Sequence, residues 1–237
     1  MKNLKIIEVK SELGAGTRGA SLGSEALKLA SLEHGDALFG KIKSREIRDS
    51  SRLLFRHPQR VHAKRIKGVV KVFERLAKGV QTEIQRGHIP VILSGDHSSA
   101  GGGIAGLKAA FPTDRIGVIW IDAHADFRPT YQGSVYNHAC PMYRIVEKGY
   151  KLIQIGIRSL HAAEAEALQA DDQISTWFDR ELQNPDNWQK LLEQLRGLTG
   201  DVYFTIDLDG FDPALISGVG TPQPGGLSWH QGLDILE

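Results

Sequence analysis

Three apolar stretches of this chain run directly into clusters of acidic and histidine residues. The most apolar, Ile116–Ile121, is followed by Asp122, His124 and Asp126 at alternate positions. An unbroken apolar run predicts a parallel strand that is buried on both faces. Because side chains alternate along an extended chain, the three polar residues share one face if the strand geometry continues beyond the apolar run.

The same design occurs at two further places. Ile89–Ser94 leads into Asp96 and His97, and Val202–Ile206 leads into Asp207 and Asp209. Ligands of open α/β sheets bind at the carboxyl ends of the strands. The three stretches together therefore predict one polar site at the carboxyl edge of a parallel sheet.

Elsewhere the pattern alternates strands with helices. Apolar residues three and four positions apart predict a long helix from about Val61 to Arg86 that packs one stripe on a sheet. The stripe consists of Ile66, Val70, Phe73, Ala77, Val80 and Ile84. Residues 34–60 show no sustained period. Further strands are predicted at 4–9, 152–156 and 174–178, and further helices at about 24–32, from 98, from 141, at 161–170, at 184–198 and from 228. This alternation predicts a three-layer α/β/α fold with a mainly parallel sheet.

A glycine-rich loop, Glu12–Gly23, lies between the first strand and the first helix. Its Gly14, Gly16 and Gly19 match the dinucleotide-binding spacing, but no acidic residue closes a second strand about 20 residues further on. Nucleotide binding is therefore the weaker interpretation. The glycines of Ser98–Ala110 are expected to allow close backbone approach near the polar site.

Composition narrows the function class. The chain has 237 residues, with 29 basic against 28 acidic side chains, which favours a single domain and gives no reason to expect a nucleic-acid or membrane partner. The basic span from Lys41 to Lys71 is interpreted as a solvated surface. The only cysteine, Cys140, has no intramolecular disulfide partner, and the first residues lack the apolar core of a secretion signal, so a cytoplasmic location is expected.

The candidate site combines four carboxylates with two imidazoles. Its members are His97, Asp122, His124, Asp126, Asp207 and Asp209. Like charges at such short range cannot all remain ionised unless cations balance them. Two divalent metals would do so, and oxygen-rich coordination suits Mn or Mg better than Zn. The pattern therefore predicts a two-metal hydrolase.

The segments that carry this chemistry resemble the signatures of one family. They read SGDHS at Ser94–Ser98, DAHAD at Asp122–Asp126, DLDGFDP at Asp207–Pro213 and GTPQPGGL at Gly220–Leu227. In this order they are similar to the arginase and agmatinase ureohydrolases. The glycine-rich loop also resembles the opening loop of that family, so the resemblance runs from end to end.

The resemblance implies roles for individual residues. One Mn would be held by His97, Asp122, Asp126 and Asp207, and the other by Asp122, His124, Asp207 and Asp209, with Asp122 and Asp207 bridging. Asp126 would also orient the attacking water. His138 matches the family's proton-shuttling loop histidine, whereas Asp96 and Asp212 match supporting positions.

The resemblance also implies a binuclear manganese hydrolase that releases urea and an amine from a guanidino substrate, with L-arginine favoured. Agmatine, another guanidino acid or formiminoglutamate remains an alternative, because Ser134–Asn137 departs from the arginase substrate loop. A mononuclear Zn deacetylase and a metal-binding regulatory or structural subunit are the rival interpretations. Family members are commonly trimers or hexamers, so a homo-oligomer is expected. They also continue beyond the position of Glu237 to a guanidinium-binding glutamate, so we expect that C-terminal units are missing, either because the sequence is a fragment or because the pocket is incomplete.

Overall fold

The structure of the chain is a computed structural model that describes residues 3–36, 38–56, 65–111, 116–146 and 150–237. Its strands are β1 (Leu4–Val9), β2 (Ser44–Glu46), β3 (Ile89–Ser94), β4 (Ile116–Ile121), β5 (Lys151–Ile157), β6 (Ile174–Phe178) and β7 (Asp201–Ile206). Its helices are α1 (Gly23–Glu33), α2 (Leu38–Lys41), α3 (Arg52–Arg56), α4 (Ile66–Gln85), α5 (Ala100–Ala110), α6 (Pro141–Val146), α7 (Ala162–Ala170), α8 (Asp179–Leu182), α9 (Pro185–Arg196) and α10 (Trp229–Leu236).

These residues form two compact units. The first comprises Met1–Thr113 and Pro129–Pro141, and the second Asp114–Arg128 and Met142–Glu237, as far as the structure describes them. The expectation of a single domain stays a prediction.

The first unit contains a parallel sheet in the order β2-β1-β3. Its core joins Ile7 and Val9 of β1 to Val72, Leu76 and Val80 of α4. The sequence pattern did not predict β2, because a strand of three residues is too short to show a period. The buried Ile47 directly after β2 also packs in this core.

The apolar stripe predicted for α4 is only partly correct. Val80 of the predicted stripe is buried in the sheet core and Ile84 packs against it, but the other α4 residues of that core are Val72 and Leu76, which the stripe did not include. Of the predicted set, Phe73 and Ala77 lie against glycines of α5 instead. The helix therefore has two adjacent apolar faces, one for the sheet and one for α5. The predicted start at Val61 lies outside the described residues.

The glycines of α5 serve helix packing. A Cβ added at Gly106 would lie 2.4 Å from the carbonyl oxygen of Ala77 and 2.7 Å from Cβ of Val80. At Gly102 the nearest atom would be the carbonyl oxygen of Phe73, at 3.0 Å. Close approach is thus required, as expected, but the partner is the backbone and side chains of α4.

The second unit contains a parallel sheet in the order β6-β5-β4-β7. Its core is formed by buried residues of β4, β5, α8 and α9 and of the segment that follows β7. They are Ile119, Ile121, Ile153, Ile155, Leu182, Trp188, Leu191, Leu192, Phe211 and Leu227. All strand pairs of both sheets are parallel, and consecutive strands are separated by helices along the chain. The predicted α/β fold class is therefore confirmed.

Helix ends follow local sequence rules. Ser228 caps α10: its hydroxyl oxygen accepts from the backbone N–H of Gln231, and the Ser228 N–H donates to Oε1 of Gln231. This reciprocal cap confirms the predicted helix start at residue 228. Among the described residues, no helix is both long and apolar enough to span a membrane.

Candidate metal centre

The DAHAD turn begins where β4 ends. Asp122 is almost completely buried, and its backbone N–H donates to the carbonyl oxygen of Ile155 on β5 at 3.2 Å. Its Oδ1 accepts a hydrogen bond from the backbone N–H of His124 at 2.6 Å. Nδ1 of His124 lies 3.3 Å from Oδ1 of Asp122, so these two side chains share one face, as the alternation predicted from the sequence requires.

The extended geometry does not reach Asp126. A parallel bridge between His124 and Ser159 prolongs the strand pairing, but Asp126 has a φ of 48°. The condition for a shared face, an extended backbone through all three residues, is therefore not met at Asp126, because the chain turns into the left-handed region there. Asp126 is buried, and its carbonyl oxygen accepts from the N–H of Met142 at 3.1 Å.

The second acidic turn follows β7. Asp207 caps the 3-10 helix Leu208–Gly210, and its Oδ1 accepts from the N–H of Asp209 at 3.1 Å. Asp209 is buried, and its carboxylate accepts from the N–H of Ala123 at 3.2 Å and from the Thr221 hydroxyl at 3.1 Å. These bonds fix the orientation of the Asp209 carboxylate.

Gly210 lets this turn approach β4. A Cβ at residue 210 would lie 2.8 Å from Cγ2 of Ile121 and 2.9 Å from the backbone nitrogen of Asp122. No larger residue fits there without displacing backbone. The glycine in DLDG therefore has a steric role in bringing Asp209 to the Asp122 turn.

Three side chains of the two turns converge. Nδ1 of His124 lies 3.3 Å from Oδ1 of Asp122 and 3.2 Å from Oδ2 of Asp209. These ligand atoms lie within 4.8 Å of one another, and a carboxylate oxygen of Asp207 lies within 4.8 Å of one of Asp122. The second unit thus brings four of the six predicted ligands close together.

The electrostatics of the cluster favour a cation. Burial lowers the pKa of His124, but hydrogen bonds and Coulomb attraction from Asp122 and Asp209 outweigh burial and raise the pKa to about 10. Burial raises the pKa of Asp209, but the His124 contacts outweigh it and lower the pKa. The protonated imidazole of His124 thus places a positive charge beside two buried carboxylates. A bound metal ion would supply the same positive charge in place of the imidazole proton.

The donor set fits a hard divalent metal. Carboxylate oxygens outnumber the single imidazole nitrogen, as in Mn and Mg sites, and thiolate is absent from the cluster formed by the described residues. Asp122, His124, Asp207 and Asp209 would hold the ion.

His97 and His138 belong to the first unit. His97 opens the 3-10 turn His97–Ser99 after β3. Asp96 caps that turn: its Oδ1 accepts from the N–H of Ser98 at 2.9 Å and its Oδ2 from the N–H of Gly14 at 3.0 Å. This agrees with the supporting role expected for Asp96, while the ligand role of His97 stays a prediction.

His138 lies in the loop that leads to α6. Its ring Nδ1 is 2.6 Å from the carbonyl oxygen of Gly14, and its backbone N–H donates to the same oxygen at 3.3 Å. The ring of Tyr131 meets the imidazole edge-on, with centroids 5.8 Å apart. Cys140 is two residues further along the chain and is buried. Its Sγ lies 3.8 Å from the carbonyl oxygen of Ser134, so it packs inside the loop.

Arg158 is an organising residue that the sequence pattern did not indicate. Its guanidinium donates to the carbonyl oxygens of Asp209 at 2.7 Å, Gly210 at 3.3 Å and Phe211 at 3.3 Å. It also donates to the carbonyl oxygens of Gly156, Gln223 and Pro224. One side chain therefore ties the DLDG turn to the GTPQPGG segment.

Gln154 is a second residue that organises the site, and the sequence indicates it as a polar residue inside an apolar strand. It is fully buried in the apolar strand β5, and its amide donates to the carbonyl oxygen of Ala125 at 2.7 Å. Thr176 donates to its Oε1 at 3.2 Å. A polar side chain inside a buried strand needs such partners, so its position supports the DAHAD turn.

The glycine-rich loop is held by protein contacts. The buried Glu12 carboxylate accepts from the backbone N–H groups of Gly19 at 2.8 Å and Ser21 at 3.2 Å. These are the amides that a phosphate would need in a nucleotide cradle. The weaker interpretation as a dinucleotide site is therefore disfavoured.

Comparison with known proteins agrees with these features. The family model described as Arginase family matches residues 2–237, and the chain belongs to the arginase family. The N(1)-aminopropylagmatine ureohydrolase of Synechocystis sp. is 36% identical over 159 residues, which are 67% of this chain and 51% of that protein. The arginase of Bacillus caldovelox is 29% identical over 98% of this chain and 84% of that protein.

The fold matches as well. The solved structure of arginase from Bacillus caldovelox has a TM-score of 0.81 and 31% identity, covering 99% of this chain and 85% of that chain. The match to the Synechocystis relative, however, spans only about half the length of that protein. The resemblance drawn from the motifs is thus confirmed for family and fold.

Proposed function

We propose that this chain binds two manganese ions and hydrolyses a small guanidino compound to urea and an amine, with L-arginine as the favoured substrate. The observation that carries the proposal is the convergence of Asp122, His124 and Asp209 at the ends of β4 and β7 in a chain of the arginase family. Related proteins are named arginase and N(1)-aminopropylagmatine ureohydrolase.

The proposed ligand set adds two residues of the sequence motifs to the cluster. It comprises His97, Asp122, His124, Asp126, Asp207 and Asp209. Asp122 and Asp207 are proposed to bridge the two ions, which is supported by the short distance between their carboxylates. His97 and Asp126 are included because they stand at the matching positions of the SGDHS and DAHAD motifs.

The reaction requires a nucleophile, a group that orients it and a proton for the departing nitrogen. Divalent metal ions, when bound, supply the positive charge that makes water a nucleophile near neutral pH. Asp126 is proposed to orient that water towards the guanidinium carbon by accepting a hydrogen bond. Attack gives a tetrahedral carbon, and urea forms when the bond to the substrate nitrogen breaks.

The departing nitrogen needs a proton to leave as an amine. An imidazole is suited to this transfer near neutral pH. His138 is proposed as the donor, supported by its fixed place in the loop and its match to the family's shuttling histidine.

A homo-oligomer, a trimer or hexamer by family resemblance, is proposed as the working assembly.

The test is urea release by the purified chain after incubation with Mn. Arginine, agmatine and N(1)-aminopropylagmatine are compared side by side, with Asp209→Asn as the inactive control. Release from arginine supports the proposal as stated, and release from another of the three keeps the reaction and changes the substrate.

Metal binding without turnover of any of the three would contradict hydrolysis of these compounds and favour a metal-binding subunit. One tightly bound Zn per chain would favour the mononuclear alternative.

A further inference from the structure

One ring nitrogen of His138 faces a hydrogen-bond acceptor, and this acceptor determines which of the two ring nitrogens carries the proton. Its Nδ1 lies 2.6 Å from the carbonyl oxygen of Gly14. A carbonyl oxygen only accepts hydrogen bonds, so the ring nitrogen facing it must be the donor. A neutral imidazole carries one N–H, and the hydrogen bond of one nitrogen therefore decides the state of the other.

We infer that the Gly14 carbonyl is a positioning group that fixes the tautomer of His138, with Nδ1 protonated and Nε2 free to take and give a proton. The tautomer follows from the geometry alone. Its catalytic consequence rests on the proposed function, in which His138 protonates the departing amine.

The position of the carbonyl is itself over-determined. The N–H of Gly14 donates to Oδ2 of the buried Asp96 at 3.0 Å, and the backbone N–H of His138 donates to the Gly14 oxygen at 3.3 Å. A Cβ at residue 14 would lie 2.5 Å from Oγ of Ser98, 2.6 Å from its Cβ and 2.8 Å from Oδ1 of Asp96. Only glycine lets this peptide sit so close to the Asp96 turn.

The histidine side of the contact is equally constrained. The buried Asn137 donates to the carbonyl oxygen of Ser134 at 2.7 Å, and its Oδ1 accepts from the N–H of Ala139 at 2.8 Å. The Tyr131 ring stands edge-on against the imidazole. The loop therefore presents the ring of His138 to Gly14 in one orientation, which is the condition for a single tautomer.

The loop supplies a matched pair of variants two residues apart. Gly14→Ala introduces the clash with Ser98 and Asp96, whereas Gly16→Ala places its methyl group in open space. Both change glycine to alanine in the same loop, so their difference isolates the position of the residue 14 peptide. Neither changes the His138 side chain.

The decisive measurement is ¹⁵N NMR of histidine-labelled, metal-free protein at alkaline pH, with His138 assigned by its loss in His138→Gln. Wild type and Gly16→Ala are expected to show protonated Nδ1 and bare Nε2. Gly14→Ala is expected to show a mixture of the two tautomers. Protonated Nε2 in wild type, or an unchanged signal in Gly14→Ala, would overturn the inference.

A second variant covers the case in which Gly14→Ala does not fold. Asp96→Ala removes both acceptor oxygens, so Gly14 and Ser98 lose their partner together. The expected result is again a mixture of tautomers, and a single unchanged tautomer would count against the inference.

Kinetics supply the link to catalysis. In the Mn-loaded enzyme, Gly14→Ala is expected to lower kcat several-fold, in proportion to the fraction of the Nδ1-protonated tautomer that is lost, with KM unchanged. Gly16→Ala should keep the wild-type kcat. If wild type releases no urea, the proposed function fails, but the NMR result still decides the tautomer, so the two failures are distinguishable.

Discussion

Asp209 is oriented by contacts that need no metal ion. The Ala123 N–H and the Thr221 hydroxyl both donate to its carboxylate, and its own N–H is bound by Asp207. Asp122 is oriented in a comparable way by the His124 N–H. The ligand geometry is therefore set by protein hydrogen bonds, so a single ligand can be replaced without dissolving the turns that hold the others.

The first prediction concerns these carboxylates. Asp122→Asn should weaken metal binding most, because Asp122 is proposed to bridge both ions, and Asp209→Asn should weaken one site by about 10-fold or more. Asp172→Asn, an exposed aspartate with the same change of charge, should bind metal as wild type does. Metal titration with elemental analysis measures all three. Two Mn per Asp122→Asn chain at wild-type affinity would contradict the ligand assignment.

Arg158 carries the second prediction. Lysine at this position keeps the charge but cannot reproduce the forked donor geometry that reaches six carbonyl oxygens. Arg158→Lys should lower the free energy of unfolding by about 2 kcal/mol, as expected when several carbonyls lose a charged donor. It should also weaken metal binding through the backbone of Asp209.

Arg180→Lys, an exposed arginine of α8, is the control for the second prediction. Chemical denaturation and metal titration are compared for both variants. Equal stability of Arg158→Lys and Arg180→Lys would show that the guanidinium contacts are not what holds the two segments together.

The site residues could be predicted from the sequence where they come directly after a predicted strand. Asp122, His124 and Asp209 stand immediately after apolar runs, so their side chains could be placed at a sheet edge from alternation alone. Arg158 could not be found that way, because its partners are carbonyl oxygens whose directions depend on the folded turns. Asp126 shows the same limit, since its left-handed backbone has no signature in the alternating pattern.

At the scale of elements, α4 shows what a periodic pattern omits. Its C-terminal end was predicted correctly because the apolar spacing persists up to Ile84, but the pattern does not say which of two adjacent apolar faces meets the sheet. The glycines of α5 decided that, by admitting the Phe73–Ala77 face of α4. β2 was missed because its three residues contribute to the fold through pairing with β1 rather than through burial.

Glu83 on α4 gives the third prediction. Its buried carboxylate accepts from Arg45 of β2 at 3.2 Å and lies 2.9 Å from Nδ1 of His88, just before β3. Burial raises the pKa of Glu83, but the bonds from His88 and Arg45 outweigh it and lower the pKa below its ordinary value of 4.5. A lowered pKa in the folded state means that this stabilisation is present above pH 4.5 and is lost as the pH falls further.

Glu83→Gln should therefore lower stability near neutral pH by about 1–3 kcal/mol and flatten the acid limb of the stability curve. Glu74→Gln, an exposed position on the same helix, should leave both unchanged. Urea denaturation at a series of pH values provides the comparison. Curves for Glu83→Gln and wild type that stay parallel below pH 4.5 would refute the linkage.

For the molecule as a whole, the metal centre couples ligand binding to stability. A ligand that binds only the folded chain stabilises it by an amount that grows with the logarithm of its concentration, about 2.7 kcal/mol at 100 times Kd. Mn should therefore raise the melting temperature in a concentration-dependent way. A chelator should reverse the rise, because the ligands come from turns that exist only in the folded protein.

The size of that rise should depend on pH, and this is the fourth prediction. With the pKa of His124 raised to about 10 by Asp122 and Asp209, the imidazole must release its proton before its nitrogen can bind a metal. Protons therefore compete with Mn, and the melting shift at a fixed Mn concentration should be smaller at about pH 6 than at about pH 8. Thermal melts of wild type and Asp122→Asn at both pH values test this. An equal shift at both, or an undiminished shift in Asp122→Asn, would mean that Mn stabilises the chain from another place.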